Sequence, residues 1–127
     1  MKSFNKFGYL LFSVLVLFFI GLLNISYSQD QITASQAIQY IGQRKTVCGV
    51  IASVKYLRYS RGQPTFVNID KPYPNQIFTL IVWGSDRMKF SNIDSIFTQG
   101  KKICATGLIK SYHGKPEMII REPYQIN

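Results

Sequence analysis

From residue 46 onward the chain reads as five short β-like runs broken once, at Ser85 to Phe97, and that single break restricts the folds open to it. Thr46 to Tyr56 is rich in β-branched residues and long enough for a bent strand, with Gly49 placed to let it coil. Thr65 to Ile69 alternates, with Thr65, Val67 and Ile69 on one face and Phe66 and Asn68 on the other. Ile77 to Trp83 is apolar on both faces, the mark of a central strand. Lys102 to Tyr112 and Lys115 to Arg121 follow, joined by His113-Gly114 as a tight hairpin turn. Pro72 and Pro74 remove two backbone donors, so Asp70 to Asn75 is a loop. Within the break, Met88, Ile93, Ile96 and Phe97 supply the apolar side of a helix or a helical turn.

A short helix leads the strands. Thr33 and Gln36 have the spacing of a capping box, Ala37, Ile38, Tyr40 and Ile41 follow, and Gly42 stands at the C-cap position. A β-sandwich wants about seven strands, and an SH3-like barrel usually has no insert after its third. The layout predicts an all-β OB-fold: a five-stranded Greek-key barrel with a short N-terminal helix and a helical segment between strands 3 and 4.

Upstream lies a leader. Lys2 and Lys6 precede the apolar run Tyr9 to Leu23, and Ser26-Tyr27-Ser28 supplies small residues for cleavage before Gln29. This predicts a signal peptide at residues 1–28 and one OB domain over residues 29–127. The alternative is an uncleaved anchor, because residues 7–25 approach the roughly 20 residues that span a bilayer. Either way the body is exported, periplasmic or secreted, with no stable membrane span once the leader is removed. Cys48 and Cys104, an even pair in an oxidising compartment, suggest one disulfide. Strands one and four are neighbours in the predicted barrel, which makes the bridge geometrically plausible. Two buried thiols are the other reading. One histidine and no third cysteine leave four-ligand zinc out of reach, and no metal or cofactor is expected.

Charge narrows the ligand. The chain has 15 Lys plus Arg against 6 Asp plus Glu, and of these only Lys2 and Lys6 lie in the leader. A small basic body attracts polyanions such as nucleic acid, anionic lipid or acidic glycan. The cations are interleaved with rings: Lys55, Tyr56, Arg58, Tyr59 and Arg61 near the first turn, Phe66 and Asn68 on the second strand, Lys71 and Tyr73 in the next loop, and Lys110, Tyr112, His113 and Lys115 in the last hairpin. Cations hold phosphates and rings stack on bases, at about 1–3 kcal/mol per base. The plainer reading makes the tyrosines loop covers, the cations a solvated rim and Phe66 a docking point for the leading helix. Catalysis is not expected. The acids lie mostly in different elements, the one histidine has no evident partner, and no glycine loop cradles a phosphate.

Pro64-Thr65-Phe66-Val67-Asn68-Ile69-Asp70 resembles the second-strand signature of nucleic-acid-binding OB domains, an aromatic and alternating aliphatics ending in an acid. It looks like the strand used by anticodon-binding OB modules of class II aminoacyl-tRNA synthetases. That resemblance implies a stacking role for Phe66 and core roles for Val67 and Ile69. Tyr73-Pro74-Asn75-Gln76-Ile77-Phe78-Thr79, running on to Val82-Trp83-Gly84, is similar to small exported bacterial OB domains, some of them joined to secreted nucleases. The likeness covers most of residues 44–121; the leader and the proline-rich loop depart from the synthetase modules, so no tRNA role is implied. The expected partner is single-stranded DNA or RNA bound with little sequence preference, with a nuclease or envelope protein as a further partner. An oligosaccharide or anionic-polymer binder and a protein-interaction module of the cell envelope remain the alternatives.

Overall fold

Residues 6–21 and 30–127 are described in this computed structural model. Ser26 to Ser28 and Gln29, the expected cleavage site, lie outside them, as does Lys2. Helix α1 (Lys6–Gly21) is apolar, and its large hydrophobic side chains from Tyr9 to Phe18 are exposed. No helix among the described residues is long and apolar enough to cross a membrane.

The body begins with β1 (Gln31–Thr33) and a 3-10 helix (Ala34–Tyr40), followed by β2 (Arg44–Tyr56), β3 (Thr65–Ile69) and β4 (Phe78–Val82). Two short helices, α2 (Gly84–Arg87) and α3 (Ile93–Ile96), lead to β5 (Lys102–Leu108), β6 (Lys110–Tyr112), β7 (Lys115–Ile119) and a final 3-10 turn (Pro123–Gln125). The five strands expected from the sequence correspond to β2, β3, β4, β5 with β6, and β7. All seven form one mixed sheet in the order β1-β2-β3-β4-β7-β6, with β5 also paired to β2. The β1–β2 and β4–β7 pairs are parallel and the rest antiparallel.

β2 is long enough to serve two partners. Residues 44–50 pair with β5, and residues 51–56 pair with β3 beyond a bulge at Ala52. Gly49 makes the change of partner possible, because a Cβ there would overlap the Ile69 side chain and the Asp70 carboxylate. The Asp70 backbone N–H donates to the Val50 carbonyl at 2.7 Å, and the Val50 N–H donates to Asp70 Oδ1 at 2.9 Å. The end of β3 is thereby laced to the bend of β2.

A closed five-stranded barrel does not form; the sheet is open. Lys102 to Tyr112, expected as one strand, divides at Ile109. The Ile109 N–H donates to the Gln43 carbonyl at 2.9 Å and its own carbonyl accepts from the Gly42 N–H at 2.7 Å. Pairing on the β2 side therefore persists through Ile109, and the chain turns to β7 only from Lys110. The free edge of β5 is taken by the C-terminus: Cys104 and Asn127 exchange backbone hydrogen bonds of 3.1 and 2.9 Å, and Ala105 bridges to Ile126. Among the described residues no ladder then joins β5 to β7. The leading helix is 3-10 in form, with the Thr33 N–H donating to Gln36 Oε1 at 2.9 Å, and β1 adds a strand before it. The break after β4 is two four-residue helices.

The core lies inside the curled sheet. Ile51, Val67, Phe78, Leu80, Val82, Ile109, Met118 and Ile120 are fully buried, each such side chain contributing about 1.5–3 kcal/mol by removal from water. Phe90, Ile93 and Phe97 from the helical insert join this core, as do Ile32, Ala34 and Ala37 from the leading segment. Cys48 and Cys104 stand opposite each other across the β2–β5 ladder and are joined as a disulfide, with Cα atoms 4.0 Å apart.

Candidate ligand-binding groove

The outward face of the sheet carries a polar row across five strands. Ser53 on β2 opposes Asn68 on β3, Asn68 opposes Thr79 on β4, Thr79 opposes Glu117 on β7, and Glu117 opposes Lys110 on β6. The first three are tied together. Asn68 Nδ2 donates to Ser53 Oγ at 3.0 Å, and the Thr79 hydroxyl donates to Asn68 Oδ1 at 2.8 Å. Asn68 is only 6% exposed, so these bonds satisfy an amide that would otherwise be buried at a cost. The next row outward runs Lys55, Phe66, Ile81. Val67 and Ile69 point the other way, into the core, because side chains alternate along a strand.

Above these rows lies a groove of about 730 Å³. Lys55, Phe66 and Asn68 line it with Tyr73 from the β3–β4 loop and with Tyr112, His113 and Lys115 from the β6–β7 hairpin. Tyr73 and Tyr112 are 76% and 62% exposed, so each ring keeps a free face. His113 and Gly114 take φ of 48° and 75°, the positive pair that a two-residue turn of this hand requires. That turn sets the His113 ring edge-on to Tyr112 at 4.2 Å between centroids. Lys115 Nζ donates to the Pro74 carbonyl at 2.9 Å, which joins the hairpin to the Tyr73 loop across the groove mouth.

Of the residues singled out by sequence, Lys55, Phe66, Asn68, Tyr73, Tyr112 and Lys115 therefore meet in one groove, together with the turn residue His113. Lys71, exposed, adjoins it in sequence between Asp70 and the lining residue Pro72, and Lys110 stands at the end of the polar row. Tyr56 is not brought in. The Arg87 guanidinium lies 3.7 Å from its ring centre, and Arg58 lies 5.9 Å from that ring and 6.0 Å from Tyr59. Arg58, Tyr59 and Arg61 sit in the exposed β2–β3 loop outside the groove lining. A second hollow of about 550 Å³, beside Trp83 and Gly62, has no charged side chain in its lining and so nothing to hold a polyanion.

Sequence reasoning did not single out the groove roles of Ser53, Thr79 and Gln76. For Ser53 and Thr79 the only sequence signal is a polar residue within a strand, and cross-strand register is needed to align them, while Gln76 lies in the loop before β4. Glu117 is the one acid in the lining. Burial holds its carboxyl above the usual carboxylate value, and the Lys110 charge partly opposes that shift.

The architecture has counterparts among solved structures. The chain is similar to OBody AM1L10 bound to hen egg-white lysozyme, with a TM-score of 0.52 at 13% identity over 80% of this chain and 94% of that one. The fold is OB-like. OBody AM2EP06 bound to hen egg-white lysozyme gives a TM-score of 0.50 at 11% identity, covering 76% of this chain and 92% of that chain. At such identities the likeness concerns fold alone. No protein-family model and no curated protein matches the sequence. In OB folds generally, ligands lie on the face of the second and third strands, flanked by the loops after the first and fourth. The groove over β3 and β4 occupies the equivalent place in this OB-like chain.

Proposed function

We propose that this chain is an exported binding module whose groove takes single-stranded nucleic acid with little sequence preference and performs no chemistry of its own. The observation that carries the reading is the convergence of Phe66, Tyr73 and Tyr112 with Lys55 and Lys115 on one groove. Rings that accept any base face, set among cations that accept phosphate, are what sequence-tolerant binding of a single strand needs. A purely binding role is supported by the spread of the acids: Glu117 stands alone in the lining, and four others are engaged elsewhere. Asp70 holds the β2 bend, Asp94 lies 3.5 Å from Arg87, and Asp86 and Glu122 share Lys89 at 3.1 and 2.9 Å. Export is supported by the charged and apolar leader and by the Cys48–Cys104 disulfide, a bond at home in oxidising compartments.

A second reading rests on a different surface. Tyr59 and Met88 are each 94% exposed and Trp83 is 37% exposed, large apolar groups outside the groove that suit a protein partner such as a nuclease or envelope protein. The test is fluorescence anisotropy of labelled single-stranded DNA with the full chain at low and moderate salt. Binding that weakens as salt rises and is lost in Phe66→Ala supports the groove reading. No binding at low salt overturns it and turns attention to glycans and protein partners.

A further inference from the structure

The floor of the groove has more acceptors than donors. The Asn68 amide already donates to Ser53, and the Thr79 hydroxyl already donates to Asn68. The Glu117 carboxylate, next along the row, makes no hydrogen bond or ion pair among the described residues, and Lys110 faces it as its cross-strand neighbour. Gln76, also in the lining, has its Oε1 buried with no hydrogen-bond partner. A basic cleft floored by a carboxylate is an odd receptor for phosphate alone, since the acid repels what the lysines attract. It suits a ligand that is anionic along its backbone and a hydrogen-bond donor at its inner edge.

We propose that Glu117 is a specificity residue that reads the edge of one base and selects guanine over thymine or uracil. The inference rests on the nucleic-acid reading above and adds a base preference to one position of an otherwise tolerant site. Guanine presents N1–H and N2–H side by side, two parallel donors that match the two oxygens of a carboxylate. Thymine and uracil present one N3–H between two carbonyl oxygens, which a carboxylate repels. Cytosine and adenine each place one amino group beside an acceptor nitrogen and satisfy one carboxylate oxygen. Phe66, one row along and two strands across from Glu117 in the same groove lining, gives a base so held a ring to stack against.

The experiment compares two labelled strands by anisotropy with the full chain at neutral pH in a lithium buffer, which disfavours guanine quadruplexes. One strand is all thymidine, and the other is the same strand with isolated guanosines. The expected result is binding about tenfold tighter for the guanosine strand. Glu117→Gln should reduce that ratio to about one, through loss of the guanosine advantage. Equal affinity of the wild-type protein for both strands overturns the proposal while leaving nucleic-acid binding intact. So does a guanosine preference that persists in Glu117→Gln. Binding of neither strand overturns the nucleic-acid reading itself, and the base preference with it.

Discussion

The Arg87 guanidinium lies 3.7 Å from the centre of the Tyr56 ring, and its Nη1 donates to the Thr65 hydroxyl at 2.6 Å. One side chain from α2 thus covers an aromatic of β2 and satisfies a buried hydroxyl of β3. Tyr56 is held as a structural ring, although its place among basic residues marks it in the sequence as a stacking platform. Tyr56→Ala and Arg87→Ala should each lower stability by about 1–2 kcal/mol in chemical denaturation. Their affinity for single-stranded DNA should stay within about twofold of wild type. A large loss of affinity at unchanged stability would return Tyr56 to the ligand site.

Phe66 should behave in the opposite way. It is half-buried on the outward face of β3 and lines the groove, so Phe66→Ala removes a stacking surface and leaves the core of Val67 and Ile69 in place. Anisotropy should show a loss of about 1–3 kcal/mol of binding energy. Lys55→Ala should make the salt dependence shallower by about 0.7 in log–log slope, as expected when one fewer cation neutralises the phosphate backbone.

The disulfide closes a long loop, with a sequence separation of 56 between Cys48 and Cys104. Replacing both cysteines by alanine should cost about 2–4 kcal/mol, mostly through the freer unfolded chain. Thermal unfolding with and without reductant checks this, and an unchanged midpoint would show that the β2–β5 ladder holds without the bridge.

Gly49→Ala should be severe for so small a change. The added methyl meets Ile69 and the Asp70 carboxylate, which themselves lace β3 to the bend of β2. Relief requires moving a buried isoleucine, so a loss of about 1–3 kcal/mol is expected in urea denaturation.

Glu117 predicts a pH dependence with a definite sign. Burial raises its folded-state value above the ordinary 4.5, with Lys110 opposing, so the folded chain binds this proton more tightly than the unfolded chain does. Its contribution to stability should fall as pH rises from 4.5 through the raised value, and above that range the ionised carboxylate is a standing penalty. Glu117→Gln should therefore match or exceed wild-type stability at neutral pH, with the difference vanishing in acid. Denaturation of both proteins across the acid range measures it. A variant markedly less stable at neutral pH would show that the ionised carboxylate helps to hold the fold.

The long β-runs and the two faces of β3 were legible in the residues alone, whereas β1 and the division of β5 from β6 were not. Alternation is a local property, fixed by the geometry of an extended chain, so Val67 and Ile69 could be assigned to the core and Phe66 and Asn68 to the groove from spacing. The helical break, the proline loop, the His113-Gly114 turn and the Cys48–Cys104 pair could be read for the same reason: each follows from residue type and short spacing, or from order along the chain. Where the sheet stops and what the groove contains were settled by tertiary packing. Ile109 bonds to Gly42 and Gln43, and Asn127 occupies the β5 edge, so the barrel expected from five strands remains an open sheet of seven. Arg87 covers the Tyr56 ring outside the groove lining, and register between β4 and β7 sets Glu117 beside Thr79. These depend on contacts between residues tens of positions apart, set by packing of the whole core, and no local pattern encodes them.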